Sequence, residues 1–249
     1  MDQFISYAKK LRLAYFASNM DFHIKEAQAE NKSYEDFLLG LLQGETELRH
    51  QNGITSRIRN AKFPYQKTLD ALDIKLLPKG AKDSFQNLRT LDFIKDKQNI
   101  IFAGNPGTGK THYAIGLGIK ACIQGNSVYF AHVPNLIIEL KEARNDLRLQ
   151  RLKSKFDKYD LIILDELGYT SFDKEGAELL FNFISSRNER ASTIITTHLS
   201  FDRWNEVFHD EIITAALVDR VTHRSYVVNM SGNSYRLKET VDFLKNTEH

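Results

Sequence analysis

The chain has little that would place it among secreted, membrane or metal-scaffolded proteins. Its single cysteine, Cys122, excludes an intrachain disulfide. Set in an apolar helical pattern, that cysteine reads as a small core residue rather than a nucleophile. An excess of one charge is also missing: 34 basic and 32 acidic side chains leave a net +2. No global field therefore marks a polyanionic partner, and any nucleic-acid surface must be local. No apolar run is long enough to cross a bilayer. The start, MDQFISYAKK, has no signal-peptide core, so a soluble, cytoplasmic chain with no membrane partner is expected. The eight histidines lack His-x-x-x-His spacing, which argues against a zinc site. Internal repeats and low-complexity segments are absent too.

What is present has two textures. Residues 1–62 contain no proline and are helical in pattern. Phe4, Tyr7, Leu11, Ala14 and Tyr15 share one helical face. Ser33 followed by Asp36 marks a helix start ahead of Phe37, Leu38, Leu41 and Leu42. Residues 63–98 hold Pro64, Pro78 and Gly80 and read as a connector without a long periodic element. From residue 99 onward, short β-branched runs alternate with helical patterns: NIIFA, SVYFA, DLIIL, STIIT and SYVVNM. Continuous apolarity suits strands buried on both faces. Alternation with helices implies right-handed crossovers and a mostly parallel sheet. The expected fold is thus α/β, preceded by a small all-helical N-terminal domain. The expected division is 1–62, 63–98 and 99–249.

The stretch GNPGTGKT (104–111) lies between the run NIIFA and a helical pattern. Gly104, Gly109, Lys110 and Thr111 fit G-x-x-x-x-G-K-[ST] in the strand–loop–helix setting that this motif needs. Its glycines let main-chain N–H groups cradle phosphate oxygens at a helix N-terminus. Asn105, Pro106, Gly107, Thr108 and His112 complete the expected ATP-binding loop. Lys110 can reach the β- and γ-phosphates, and the Thr111 hydroxyl can ligate Mg²⁺. Further on, DLIILDEL ends a strand in Asp165, at the carboxyl edge of the sheet, where it is expected to hold the same Mg²⁺ directly or through water. Glu166 beside it is placed to orient or deprotonate an attacking water, which favours hydrolysis over transfer to a small-molecule hydroxyl. Thr197 and His198, after STIIT, are expected beside the γ-phosphate. Late in the chain stand Arg220 and Arg236, either able to neutralise transition-state charge or to form a surface ion pair.

Taken together, GNPGTGKTHYAIGLG, YDLIILDELGY, IITTHLSFDRW, ALVDRVTHRSYVVNMSGNSYRLKE, SYEDFLLGLL and RIRNAKFPYQKTLD resemble the IstB-like transposition helper ATPases. These are relatives of the DnaC and DnaI helicase loaders in the AAA+ superfamily. The likeness covers nearly all of residues 1–245, and its N-terminal motifs favour the transposition branch over the loaders. It implies a P-loop AAA+ domain with a five-stranded parallel sheet and ATP at the interface between subunits. Gly104–Thr111 become the Walker A loop and Asp165–Glu166 Walker B. His198 falls at the sensor-1 position, Arg220 at the arginine finger and Arg236 at sensor 2. The family usually has asparagine where this chain has His198, whose charge depends on pH. The resemblance further implies an ATP-dependent oligomer on double-stranded DNA that engages a partner transposase.

Two basic stretches could touch DNA. RIRNAK brings Arg57, Arg59 and Lys62 together. KEARNDLRLQRLKSK spaces Lys141, Arg144, Arg148, Arg151 and Lys155 by three and four, with a helix break expected near residue 148. Phosphate contacts from such residues would be sequence-independent and salt-sensitive; the plain alternative is an exposed charged helix. A helicase loader, a P-loop small-molecule kinase and a nucleotide-gated DNA-binding module remain as alternative readings.

Overall fold

In the computed structural model, residues 2–237, 240 and 244 are described. The chain divides into two compact units, Met1–Ser56 and Arg57–His249. The first holds α1 (Asp2–Lys10), α2 (Ala14–Glu30) and the greater part of α3 (Tyr34–Asn60). Ser33 caps α3, accepting the Asp36 N–H at 3.1 Å. Ala8, Phe16, Met20 and Leu41 form this unit's apolar centre. The buried Glu45 carboxylate takes the Tyr15 N–H at 2.9 Å and the Arg49 Nε at 2.8 Å.

The second unit is built on a five-stranded sheet in which every pairing is parallel. Its strands are β1 (Asn99–Ala103), β2 (Val128–His132), β3 (Leu161–Leu167), β4 (Ser192–Thr197) and β5 (Ser225–Asn229), in the order β2-β3-β4-β1-β5. Alternate strand residues enter different cores, as a period of two requires. Ile100, Phe102, Ile163 and Ile194 pack on one side. Ile162, Leu164 and Ile195 pack on the other.

Residues 63–98 are more ordered than a connector. After single turns at Leu69–Ala71 and Ile74–Leu76 come α4 (Lys79–Leu88) and α5 (Asp92–Lys95). Pro78 opens α4, and Ala81, Phe85 and Leu88, spaced by four and three, bury completely in the first core. That helical period lasts only ten residues, too short to stand out between Pro78 and the turn at Thr90. Further helices are α6 (Lys110–Ile123), α7 (Val133–Asn145), α8 (Leu149–Phe156), α9 (Lys174–Arg187), α10 (Asn205–Phe208) and α11 (Glu211–Thr222). The break between α7 and α8 falls at residues 146–148, where Leu147 takes a left-handed φ of 56°. No helix among the described residues is long and apolar enough to cross a membrane.

Candidate nucleotide site

β1 delivers the glycine-rich loop to the carboxyl edge of the sheet. Gly104 has to be glycine, because a Cβ there would lie 2.3 Å from the Met230 carbonyl carbon. Gly109, at a φ of 93°, turns the chain into α6. The free N–H groups at the start of that helix make a phosphate cradle. Lys110 is folded back on the loop, its Nζ donating to the Gly104 and Asn105 carbonyls, both at 2.7 Å. Burial pushes this amine down to about 8; Asp165 opposes the shift and Arg236 adds to it. Thr108 donates to the Asn105 carbonyl at 2.9 Å, and the Gly107 carbonyl accepts the Tyr235 N–H at 2.9 Å.

Two strands away, β3 supplies Asp165 and Glu166. The β3–β4 register shifts between Leu164 and Leu167, and Glu166 takes a left-handed φ of 64° within that shift. Such an irregularity re-aims side chains beside a site. Asp165 Oδ1 accepts two hydroxyls, Thr111 Oγ1 at 2.8 Å and Thr196 Oγ1 at 2.6 Å. Burial raises the Asp165 carboxyl above its ordinary range, and those two hydroxyls partly offset the rise. Thr196 also accepts the Glu166 N–H at 3.0 Å. The Glu166 carboxylate itself is engaged by His132 Nε2, from the end of β2.

The opposite wall of the pocket comes from the stretch ahead of β1. Tyr65, Leu72, Asp73 and Leu77 face Gly107–His112, Glu166, Tyr169, Thr196 and Arg236 across it. His112 Nε2 lies 3.2 Å from the Thr68 carbonyl, and burial lowers its pKa. This wall and Thr196 escaped the sequence. Residues 65–77 carry no phosphate-binding signature, and Thr196 looks like any strand threonine.

The end of β4 differs from expectation by one position. Thr196, not Thr197, faces the pocket; Thr197 is buried and its hydroxyl accepts the Leu199 N–H at 3.1 Å. The register shift in β3 sets which β4 residue meets Asp165. His198 lies behind the pocket wall with its ring edge-on to Tyr169, centroids 4.5 Å apart. Burial lowers the His198 pKa, and the Lys110 and Arg203 charges push the same way.

A glycine loop, a buried strand-end aspartate bonded to its threonine, and an adjacent glutamate can hold the phosphates of a nucleotide. The sequence profile of the family described as IstB-like ATP binding protein matches residues 6–242. The chain belongs to that family. Its relatives include a protein described as the ATP-binding protein of insertion sequence IS21 from Pseudomonas aeruginosa, 36% identical over 92% of this chain and 87% of that one. The counterpart in insertion sequence IS5376 of Geobacillus stearothermophilus is 36% identical over 94% and 93%. Among solved structures, the DnaC helicase loader has a TM-score of 0.56 at 21% identity, over 67% of this chain and 97% of that one. AMPPCP-bound DnaA from Aquifex aeolicus has 0.57 at 16%, over 74% and 56%. The second unit of this IstB-like protein therefore has the AAA+ fold, and the chain is a P-loop ATP-binding protein.

The remaining expected residues of the IstB-like chain divide between the pocket and the surface. Arg236 lines the pocket. Arg220, in the last turn of α11, lies over the Phe181 ring at 4.9 Å, outside the lining of its own chain's pocket. Arg57 donates from Nε to the Cys122 carbonyl at 2.7 Å. Several cations of the second basic stretch face carboxylates: Lys141 with Asp173, Arg144 with Glu175, Arg148 with Asp146 and Lys155 with Glu139. Arg151 and Arg59 have no such partner among the described residues. Exposed pairs of this kind are weak. No group of three His, Cys, Asp or Glu among the described residues could hold a metal by itself.

Proposed function

We propose that this chain hydrolyses ATP with Mg²⁺ and, as an oligomer on double-stranded DNA, serves the transposase of an insertion sequence. The observation that carries the reading is the Thr111–Asp165–Thr196–Glu166 cluster. The insertion-sequence descriptions of its relatives supply the context.

The donor set fits the cation. Mg²⁺ takes hard oxygens and keeps room for waters and substrate phosphates, and Thr111 Oγ1 with Asp165 offers two protein oxygens at one point. When bound there, Mg²⁺ would draw charge from the phosphate oxygens. The chain's own residues do the rest. The Gly104–Thr111 main chain and Lys110 hold the phosphates once Lys110 exchanges its two carbonyl partners for ATP. Glu166, turned from His132 toward the γ-phosphate, accepts a proton from the attacking water. His198 supports the phosphate side through the Tyr169 ring against which it packs. Arg236 neutralises charge from within the pocket, and Arg220 of one copy reaches the site of the next. The basic stretches meet the DNA backbone.

The test is ATP turnover with and without duplex DNA, for the wild-type chain and Glu166→Gln, with assembly followed by light scattering. Glu166→Gln is expected to bind ATP, to lose at least about 100-fold in turnover, and to remain as a DNA-bound oligomer that a transposase captures. Turnover and assembly indifferent to both DNA and Glu166→Gln would overturn the reading.

A further inference from the structure

Two basic segments far apart in sequence meet at one edge of the sheet. Among the described residues β2 is an edge strand, with a row of main-chain groups that no other strand pairs. The chain leaving α3 covers part of that row: the Phe130 N–H donates to the Ala61 carbonyl at 2.7 Å. The next two residues straddle the edge. Phe63 packs edge-to-face on Phe130 at 6.3 Å, in the first core. Lys62, at a left-handed φ of 59°, lays its ammonium over the Tyr129 ring at 5.4 Å on the other side. Lys155, from α8, reaches the same ring at 5.8 Å. Those two distances laid end to end cap the separation of the ammonium groups at 11.2 Å. Beside them opens a cavity walled by Arg57, Arg59, Lys62, Ser127, Val128 and Tyr159.

The charge at this edge is unbalanced. Arg57, Arg59 and Lys62 have no carboxylate at ion-pair distance among the described residues. Arg57 is held by its Nε bond to Cys122, so its terminal nitrogens are the ones available to the cavity. Two carboxylates border the region. Asp160 already accepts the Ser127 N–H at 2.8 Å and hydroxyl at 2.7 Å, and Glu139 stands 3.7 Å from Lys155. Residues 141–155 carry six basic and two acidic side chains, and of the six Lys141, Arg144 and Lys155 face Asp173, Glu175 and Glu139 from outside the stretch. Cations stacked on aromatic rings are already ordered and lose little freedom on meeting an anion.

We propose that this cavity and the Tyr129 platform seat successive backbone phosphates of duplex DNA, an inference that rests on the DNA-acting function above. The cations spread from the cavity across Tyr129 to α8, wider than one free phosphate spans but matched to a strand advancing about 3.4 Å per nucleotide. The rings favour a duplex over a single strand. Tyr129 is 5% exposed and Tyr159 half-buried, so neither offers the open face on which unpaired bases stack. Contacts of this type carry no sequence information.

The test uses the full-length chain with ATP and Mg²⁺ and a fluorescently labelled duplex of about 30 base pairs, titrated across salt concentrations. Arg59→Ala/Lys62→Ala/Lys155→Ala should bind at least about tenfold more weakly, with the log–log salt slope reduced by about 2 to 3, near 0.9 per phosphate lost. A charge-matched control, Lys82→Ala/Lys95→Ala/Arg190→Ala, removes exposed cations elsewhere and should stay within about twofold of wild type. Lys62→Gln and Lys155→Gln, which keep their stems over Tyr129, should each lower the slope by about one. Binding of a labelled ATP analogue verifies the fold of every variant. A triple variant with the wild-type slope overturns the seat while the DNA reading stands. Single-stranded DNA of equal length binding as tightly as duplex overturns the occupant. A wild-type chain that binds no duplex at any salt overturns both.

Discussion

Replacing Thr196 by valine should separate holding ATP from cleaving it. The swap keeps the shape of a buried side chain and removes one hydroxyl that serves both acidic residues. Its bond to the Asp165 carboxylate is charge-assisted, worth about 1.5–3 kcal/mol, and the bond from the Glu166 N–H about 1 kcal/mol. The first loss falls on a carboxylate that keeps Thr111 as a donor, so part of it appears as lower stability and a further rise in the Asp165 pKa. The second falls on the residue that must meet water, held at a left-handed φ that an unbonded glutamate would leave. About 1–1.5 kcal/mol of lost positioning corresponds to a roughly tenfold lower kcat. The Gly104–Thr111 cradle is untouched, so ATP affinity should stay within about threefold. Coupled ADP-release kinetics and titration with a fluorescent ATP analogue give the two numbers, and Thr196→Ser should recover most of the kcat. A folded Thr196→Val chain with kcat within twofold of wild type would refute the argument.

Three further outcomes follow from His132 and Cys122. His132 engages the Glu166 carboxylate at a half-exposed position; a pair of that exposure is worth up to about 1 kcal/mol. His132→Ala should therefore raise DNA-independent turnover up to about fivefold, and a fall instead would make His132 a helper of Glu166 rather than its restraint. Cys122 is fully buried and its thiol is pushed up to about 11 from 9.0 by burial, with Arg57 opposing. The folded chain should react with iodoacetamide at pH 8 at least about 100-fold more slowly than the unfolded one. Because the unfolded thiol loses its proton first, its linkage contribution is present below pH 9 and is lost between pH 9 and 11, at up to about 1.4 kcal/mol per unit. The Cys122→Ala chain, compared by denaturant midpoint over that range, should lack this component of the decline.

The sequence made the phosphate side of the site readable because its chemistry demands particular residues at fixed spacing. Glycines that must turn, a lysine that must reach and a carboxylate at a strand end leave few substitutes. The five strands were readable for a similar reason, since burial on both faces forces continuous apolar runs. The break between α7 and α8 showed itself through apolar residues that could not share one face. Thr196 did not show itself. Which β4 residue meets Asp165 depends on a register shift in β3, a cross-strand property with no local mark. The wall at residues 65–77 was hidden because main-chain placement and scattered leucines, not a motif, make it. The convergence of Lys62 and Lys155 on Tyr129 was hidden by the crossing of the chain over β2.

That crossing bears on how the molecule can be dissected. A fragment begun at residue 99, where strands start to alternate with helices, would retain every strand and the whole glycine loop. It would lack Leu69, Leu77, Phe85 and Leu88 from the first core, along with the 65–77 wall of the nucleotide pocket. It would also leave Phe130 with an unpaired N–H on a bare, apolar sheet margin, an invitation for another copy to add a strand. The second compact unit begins at Arg57, so a truncation series should change from aggregating to monodisperse between those two starting points.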